Sequence, residues 1–231
     1  VVTPPGLVTR ETRLPAAWRY SALRKAAMAL SGLALVAFLF GHWYGNLVLL
    51  DGEAAFNAYL AWLEAHPVLH YGVWAVLIGA FGVHLAVAFP HWWYNRRARP
   101  VRYRRLRCQA TTWVSRTMML TGSLLLLFLI VHVAQVRGWP PFTDGGIYRN
   151  LQAGFGQVPV VSIYLLGQLA LAFHLYHGLW SQFQTLGISH PQYDRWRRPL
   201  AVVIGLGIAV LNIGAILLNV GQAGAFSGTA P

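Results

Sequence analysis

Five runs of apolar residues, each long enough to cross a bilayer, constrain this chain more than any other feature. They fall at about 26–50, 68–89, 112–136, 159–183 and 200–220. A hydrocarbon core is about 30 Å thick, and a helix rising about 1.5 Å per residue needs about 20 residues to span it. Without water to satisfy backbone amides, a spanning segment is a helix or part of a closed barrel. Runs this long with no strict alternation read as helices. Charged residues make up only 10% of the chain, against about 25% in soluble domains. The expected fold is an all-α integral membrane protein, a bundle of five transmembrane helices within 26–221. A polar arm, 1–25, precedes it and a frayed tail, 222–231, follows. The arm leads straight into a full-length span, so no cleavable signal peptide is expected.

The connections carry their own signals. Residues 51–67, DGEAAFNAYLAWLEAHP, alternate apolar and polar groups at helical spacing, as a short helix lying in the membrane interface does. Pro90, His91, Trp92 and Trp93 close the second run as an aromatic anchor, and the connector from Arg96 to Arg107 holds seven arginines. Gly138, Pro140, Pro141, Gly145 and Gly146 mark 137–158 as a loop, with a short helix around 148–155.

A net charge of +12 invites a nucleic-acid reading, but the placement of the charges redirects it. With loops assigned alternately to two sides, the arm, the connector, Arg116 and the 184–199 loop hold 16 of the 18 lysines and arginines. The other side holds Arg137 and Arg149 beside Asp51, Glu53, Glu64 and Asp144. Positive residues stay inside, so the N-terminus is expected in the cytoplasm and the C-terminus outside, with no nucleic-acid partner. The single cysteine, Cys108, can form neither an intramolecular disulfide nor an iron–sulfur cluster. Any flavin or cluster chemistry therefore belongs to a partner.

Four histidines carry the functional signal. His42, His84, His132 and His174 each fall in a different apolar run, at gaps of 42, 48 and 42 residues. A buried imidazole in lipid is costly unless it serves a purpose, and a neutral one is a good iron ligand. Depth tests how they group. His42 lies nine residues before Asp51, and His132 lies five before Arg137 and eight before Pro140. Both then sit about 8–14 Å from the outer end. His84 lies 17 residues after Pro67 and His174 lies 15 after Pro159, which puts both about 22–26 Å in. Two depth-matched pairs follow, His42 with His132 for an outer haem and His84 with His174 for an inner one. Their levels differ by about 10–15 Å. Gly41, Gly45, Gly82, Gly122 and Gly178 are positions where a flat macrocycle can approach the backbone.

Other arrangements compete with this one. His177 lies one turn beyond His174 on nearly the same face and is an alternative ligand. His70 and His84 are separated by 13 residues, a spacing resembling the stacked-haem helix of the cytochrome b in quinol–cytochrome c oxidoreductases. That arrangement needs the same spacing on a second helix, and no other run has it. His66, His91 and His190 read as interfacial. A single intramembrane histidine also serves as a helix–helix hydrogen-bonding group or in a proton relay. A haem-free anchor or proton-handling membrane protein is therefore one alternative, and a dihaem cytochrome b of another quinone-linked dehydrogenase is a second.

Four segments, HWYGNL at 42–47, FNAY at 56–59, SRTMMLTG at 115–122 and FHLYHGLWSQFQTLG at 173–187, give the chain a family resemblance. It resembles the membrane cytochrome b subunit of succinate:quinone oxidoreductase and fumarate reductase, in its single-chain, five-helix, dihaem form. The resemblance implies that His42, His84, His132 and His174 are the axial ligands of two haem b groups, and it favours His174 over His177. It implies a non-flavin membrane subunit of an enzyme, succinate dehydrogenase, in the inner (plasma) membrane of a prokaryote. A flavoprotein and an iron–sulfur subunit would dock on the cytoplasmic side. Electrons would then pass through the haems to a quinone, menaquinone by the same resemblance. The alternative direction is fumarate reduction on the same scaffold.

A quinone carbonyl needs a hydrogen-bond donor at the end of a mostly apolar cleft. Ser21, Lys25, Ser31 and Arg116 are the candidates on the cytoplasmic side, for quinone or for the propionates of the inner haem. Arg116 also reads as an ordinary snorkelling anchor. On the outer side Glu64 is a candidate for quinol proton exchange, with an exposed surface carboxylate as the alternative. Some family members carry a glutamate two residues before the fourth histidine, and Ala172 stands there in this chain.

Overall fold

The computed structural model describes residues 21–97, 113–140, 145–188 and 190–222. Expectations for the arm up to residue 20, for the connector over 98–112 with Cys108, and for the tail from 223 lie outside the described residues. The elements are α1 Ser21–Val48, a 3-10 turn Leu49–Asp51, α2 Glu53–Glu64, α3 Pro67–Arg97, α4 Trp113–Val136, α5 Ile147–Phe155, α6 Val158–Thr185 and α7 Pro191–Gln222. Among the described residues there is no strand. Five helices are long and apolar enough to cross a membrane, over Ala22–Asp51, Pro67–Tyr94, Arg116–Val136, Val158–Thr185 and Asp194–Gly221. The all-α, five-span fold class expected from the apolar runs is the one observed.

The helices outrun the apolar runs where polar groups can start or extend them. α7 begins nine residues before its apolar run because a cap is available upstream. The His190 N–H donates to Asp194 Oδ1 at 3.1 Å, and the Asp194 N–H donates back to the His190 carbonyl at 2.9 Å. The second is the first helical bond, and the Gln192 N–H donates to His190 Nδ1 at 3.3 Å, so side chains satisfy two of the amides that a helix start leaves open. Each short helix begins after a glycine with positive φ, Gly52 at 96° before α2 and Gly146 at 85° before α5. A side chain with Cβ would be strained in that conformation.

The topology is two helical hairpins and a single helix. α1 packs on α3 with α2 between them in sequence, α4 packs on α6 with α5 between them, and α7 packs on α6. α2 and α5 meet at one end of the bundle, where Arg149 Nε lies 2.9 Å from Glu53 Oε1 and the Phe56 and Tyr148 rings are 6.2 Å apart. Two apolar clusters form the interior. One, at the short-helix end, joins Leu49, Phe56, Leu151, Phe155, Ile216 and Val220. The other, toward the arginine-bearing end, joins Val36, Leu175, Leu179, Ala201 and Ile208.

Outside these clusters the large side chains of the long helices point outward, among them Val76, Ile78, Leu127, Ile130, Val203 and Leu218. Lipid tails are as apolar as leucine, so burial adds little between helices here. Close backbone approach and polar pairs do the joining. A Cβ at Gly205 of α7 would sit 3.2 Å from the Tyr176 amide nitrogen and 3.3 Å from the Ala172 carbonyl, which shows how near α6 and α7 come. Asn212 Nδ2 donates to Gln168 Oε1 at 3.0 Å across the same interface, and Gln152 Nε2 donates to Asn219 Oδ1 at 2.9 Å.

Candidate functional site

The structure brings the four histidines together in two pairs. His42 on α1 and His132 on α4 have ring centres 5.7 Å apart, with planes at 84°. Each stacks on the phenylalanine one turn earlier in its own helix, as four-residue spacing allows. Phe38 lies 5.4 Å from His42 at 18°, and Phe128 lies 5.7 Å from His132 at 24°. His132 Nδ1 is 2.8 Å from the Tyr164 hydroxyl of α6. Tyr164 is itself packed between Phe128 and Phe155.

The second pair lies nearer the arginine-bearing end. His84 on α3 and His174 on α6 have ring centres 6.2 Å apart, with planes at 61°. Ser31 Oγ of α1 donates to the Met28 carbonyl at 3.1 Å and lies 3.2 Å from His84 Nδ1. Thr121 Oγ1 of α4 donates to the Met118 carbonyl at 3.1 Å and lies 3.3 Å from His174 Nδ1. Ser31 touches one pair and His42, eleven residues on, belongs to the other. The two levels are thus about 16 Å apart along α1.

The ring separations are close to, and slightly shorter than, those of two imidazoles on one iron. A metal–imidazole bond of about 2.0–2.1 Å on each side, plus about 1.1 Å from nitrogen to ring centre, separates ring centres by about 6.3 Å. The paired rings stand 5.7 and 6.2 Å apart. Both pairs meet across helices that are not among the closely packed ones, α1 with α4 and α3 with α6. Among the described residues no three His, Cys, Asp or Glu side chains gather as a bare metal ion would require. Two imidazoles are what an iron already held by four ring nitrogens needs. A Cβ at Gly41, Gly82 or Gly178 would meet nothing within 4 Å, whereas one at Gly122 would press on the His174 ring.

The other expected site residues are spread more widely. Ser31 is buried against His84. Lys25 and Arg116 are exposed at the arginine-bearing end, and the Ser21 side chain lies outside the described set. Glu64 is exposed at the last position of α2, and the acid of that helix that forms an ion pair is Glu53. Tyr59, on the same short helix, has its hydroxyl pushed above the usual phenol range by burial and then by Tyr44. His177 packs its ring 5.8 Å from Trp180, and its Nδ1 finds no hydrogen-bond partner among the described residues. His70 packs on Tyr71, and His66 packs on Trp62 with Nδ1 2.7 Å from the Trp62 carbonyl.

Thr121, inside the SRTMMLTG segment, and Tyr164 touch the histidines, and no motif gives either of them a role. The signal that finds Thr121 is an internal repeat. MALSGLALVAFLFGH at 28–42 recurs ninety residues later as MMLTGSLLLLFLIVH at 118–132, and His84 recurs as His174.

Fold and site together define a multi-pass membrane protein with two facing pairs of histidines inside its helices. Residues 94–214, just over half of the 231, match the family model for the succinate dehydrogenase/fumarate reductase transmembrane subunit. The chain belongs to that family. Searches of curated proteins and of solved structures find no match to it. Membership makes the chain a membrane subunit of an enzyme complex, associated with that complex's other subunits. The matched stretch includes His132 and His174, while His42 and His84 precede it.

Proposed function

We propose that this chain is the membrane anchor and dihaem electron-transfer subunit of a succinate dehydrogenase, carrying electrons from an iron–sulfur partner to quinone. The observation that carries the reading is the pair of histidine couples at two depths, each at a separation that suits iron. Bound haem b supplies a one-electron carrier at each level. His84 and His174 hold the group nearer the arginine-bearing end, and His42 and His132 hold the other. Phe38 and Phe128 limit rotation of the outer imidazoles by stacking. By the sign of the loops, the arginine-bearing end faces the cytoplasm of a prokaryote and receives the flavoprotein and iron–sulfur subunits. Lys25 and Arg116 are the cationic candidates at that end for a quinone (menaquinone) or for propionates, and Glu64 is the candidate acid at the other end.

The test is a dithionite-reduced minus oxidised spectrum with pyridine haemochrome quantitation of the purified complex, repeated for His84→Ala and His132→Ala. Two b haems per chain, with each substitution removing a different one, is the expected result. One haem or none in the wild-type complex overturns the dihaem reading and leaves an anchor whose quinone is reduced directly by the iron–sulfur partner.

A further inference from the structure

We infer that Ser31 and Thr121 are matched positioning residues, each fixing the ring of a histidine on a neighbouring helix so that its Nε2 is presented to iron. The inference rests on the dihaem reading above and adds the residues that orient the ligands of one of the two sites.

Hydrogen-bond accounting leads to it. A hydroxyl has one proton and two acceptor lone pairs. In both residues the proton goes to the carbonyl three positions back, Met28 for Ser31 and Met118 for Thr121. Such back-bonding is ordinary for Ser and Thr in helices. The contact across to a second helix is a separate feature. The carbonyl can only accept, so both contacts are hydrogen bonds at once only where the hydroxyl gives its single proton to the carbonyl and accepts from the imidazole, an arrangement that assigns the ring hydrogen of His84 and of His174 to Nδ1. That tautomer leaves the Nε2 lone pair unprotonated on the far side of each ring.

The next residue completes the seat. A Cβ at Gly32 would lie 3.5 Å from His84 Cε1 and 3.0 Å from Gln182 Nε2, and one at Gly122 would lie 3.3 Å from His174 Cε1. Hydroxyl and glycine together thus let the imidazole lie against the neighbouring backbone. The same device occurs twice. Met28, Ser31, Gly32 and His84 recur at the same ninety-residue offset as Met118, Thr121, Gly122 and His174. The other pair is supported differently. His132 has the Tyr164 hydroxyl, and the position ninety residues before Tyr164 is Trp74, which is exposed. Hydroxyl support of both ligands therefore belongs to the His84–His174 site.

An acceptor on Nδ1–H makes an imidazole a stronger donor through Nε2, and loss of such outer partners costs about 10- to 100-fold in metal affinity. A stronger donor favours ferric iron, so its removal raises the reduction potential. The experiment is potentiometric titration of both haems in the whole complex for Ser31→Ala, Thr121→Ala and the double variant. Ser31→Thr and Thr121→Ser serve as rescues that exchange the two hydroxyls. Thr121→Val keeps the side-chain shape without the hydroxyl and takes the place of Thr121→Ala where that variant fails to assemble.

In the double variant the reduction potential of the haem that His84→Ala removes is expected to rise by about 59 mV, which is a tenfold fall in its oxidised-to-reduced ratio at a given ambient potential for one electron. The other haem stays in place, and the exchanged hydroxyls restore the wild-type value. An unmoved potential, equal movement of both haems, or failure of the hydroxyl exchanges to restore it overturns the inference. Haem content of the wild-type complex reports separately on the reading beneath it: two haems with an unmoved potential sink only the positioning role.

Discussion

The two hairpins follow one plan and differ in how they are held. Each runs from a long helix through a short one, begun by a positive-φ glycine, into a second long helix, with a histidine at matching places on both long helices. The joint between long and short helix is inverted. In the first hairpin the long helix offers Gly45 and the short helix fills the space with Tyr59, whose ring a Cβ at Gly45 would meet at 3.3 Å. In the second the long helix supplies Gln135, at the position ninety residues after Gly45, and the short helix gives way at Gly154. Gln135 is fully buried and donates to the Asn150 and Leu151 carbonyls. The closing helices differ more. Only 6% of the apolar window of α3 is buried, against 44% for α6, because α7 covers α6 and has no counterpart on α3. What is repeated is the ligand and its hydroxyl, and what varies is the scaffolding behind them.

The largest expected effect separates pairing between hairpins from pairing within one. His42→Ala with His132→Ala removes one haem, and His42→Ala with His84→Ala, both in the first hairpin, removes two. Haemochrome content per chain of the purified complexes decides it, and the opposite outcome would mean that each hairpin holds its own group.

The inverted joint gives the next effect. Gly154→Ala drives a Cβ into the Gln135 amide inside a buried contact, an overpacking expected to cost about 1–3 kcal/mol. Gly45→Ala meets only the edge of a half-buried tyrosine and is expected to cost less than about 1 kcal/mol. Thermal denaturation of the complex ranks the two, and equal losses would deny the inversion. Asn212→Leu follows, removing the α6–α7 bond to Gln168, at about 0.6–2 kcal/mol. Hydrogen exchange should show faster opening in α6 and α7 with α1 and α3 unchanged. Smallest is Glu53→Gln, which breaks an exposed ion pair with Arg149. About 0–1 kcal/mol is expected, fading further in high salt.

The parts of this arrangement visible in the sequence are those governed by distance along a helix. Span number followed from apolar length, and the proximity of His42 to His132 and of His84 to His174 followed from a fixed rise per residue counted from polar landmarks. Rotation about the helix axis was not readable. Ser31 entered as a candidate contact for quinone or propionates, and the structure lays it against His84. Whether a hydroxyl faces lipid, cofactor or imidazole depends on how two helices cross, and a helix apolar on every side gives no periodicity from which to read that. The contacts of Thr121 and Tyr164 with the histidines are hidden in the sequence for the same reason. Arg197 looked like a loop cation marking topology. It lies buried, paired with Asp194 at 3.0 Å, because α7 starts early enough to place both on its first turns.

The placement of Ser31 and His42 on one helix, and of Thr121 and His132 on its counterpart, has a metric consequence. Both intervals are eleven residues. The step from one site to the other is therefore ruled off in peptide units, twice over, before any side chain packs. Repacking, lipid composition or a docking partner can tilt the two rulers but cannot stretch them. A single residue inserted between positions 32 and 41 would turn everything beyond it by about 100° and lengthen the step by about 1.5 Å. It would swing His42 away from His132 while Ser31 stayed on His84, so the spacing of the two histidine levels is set by chain length and not by fit.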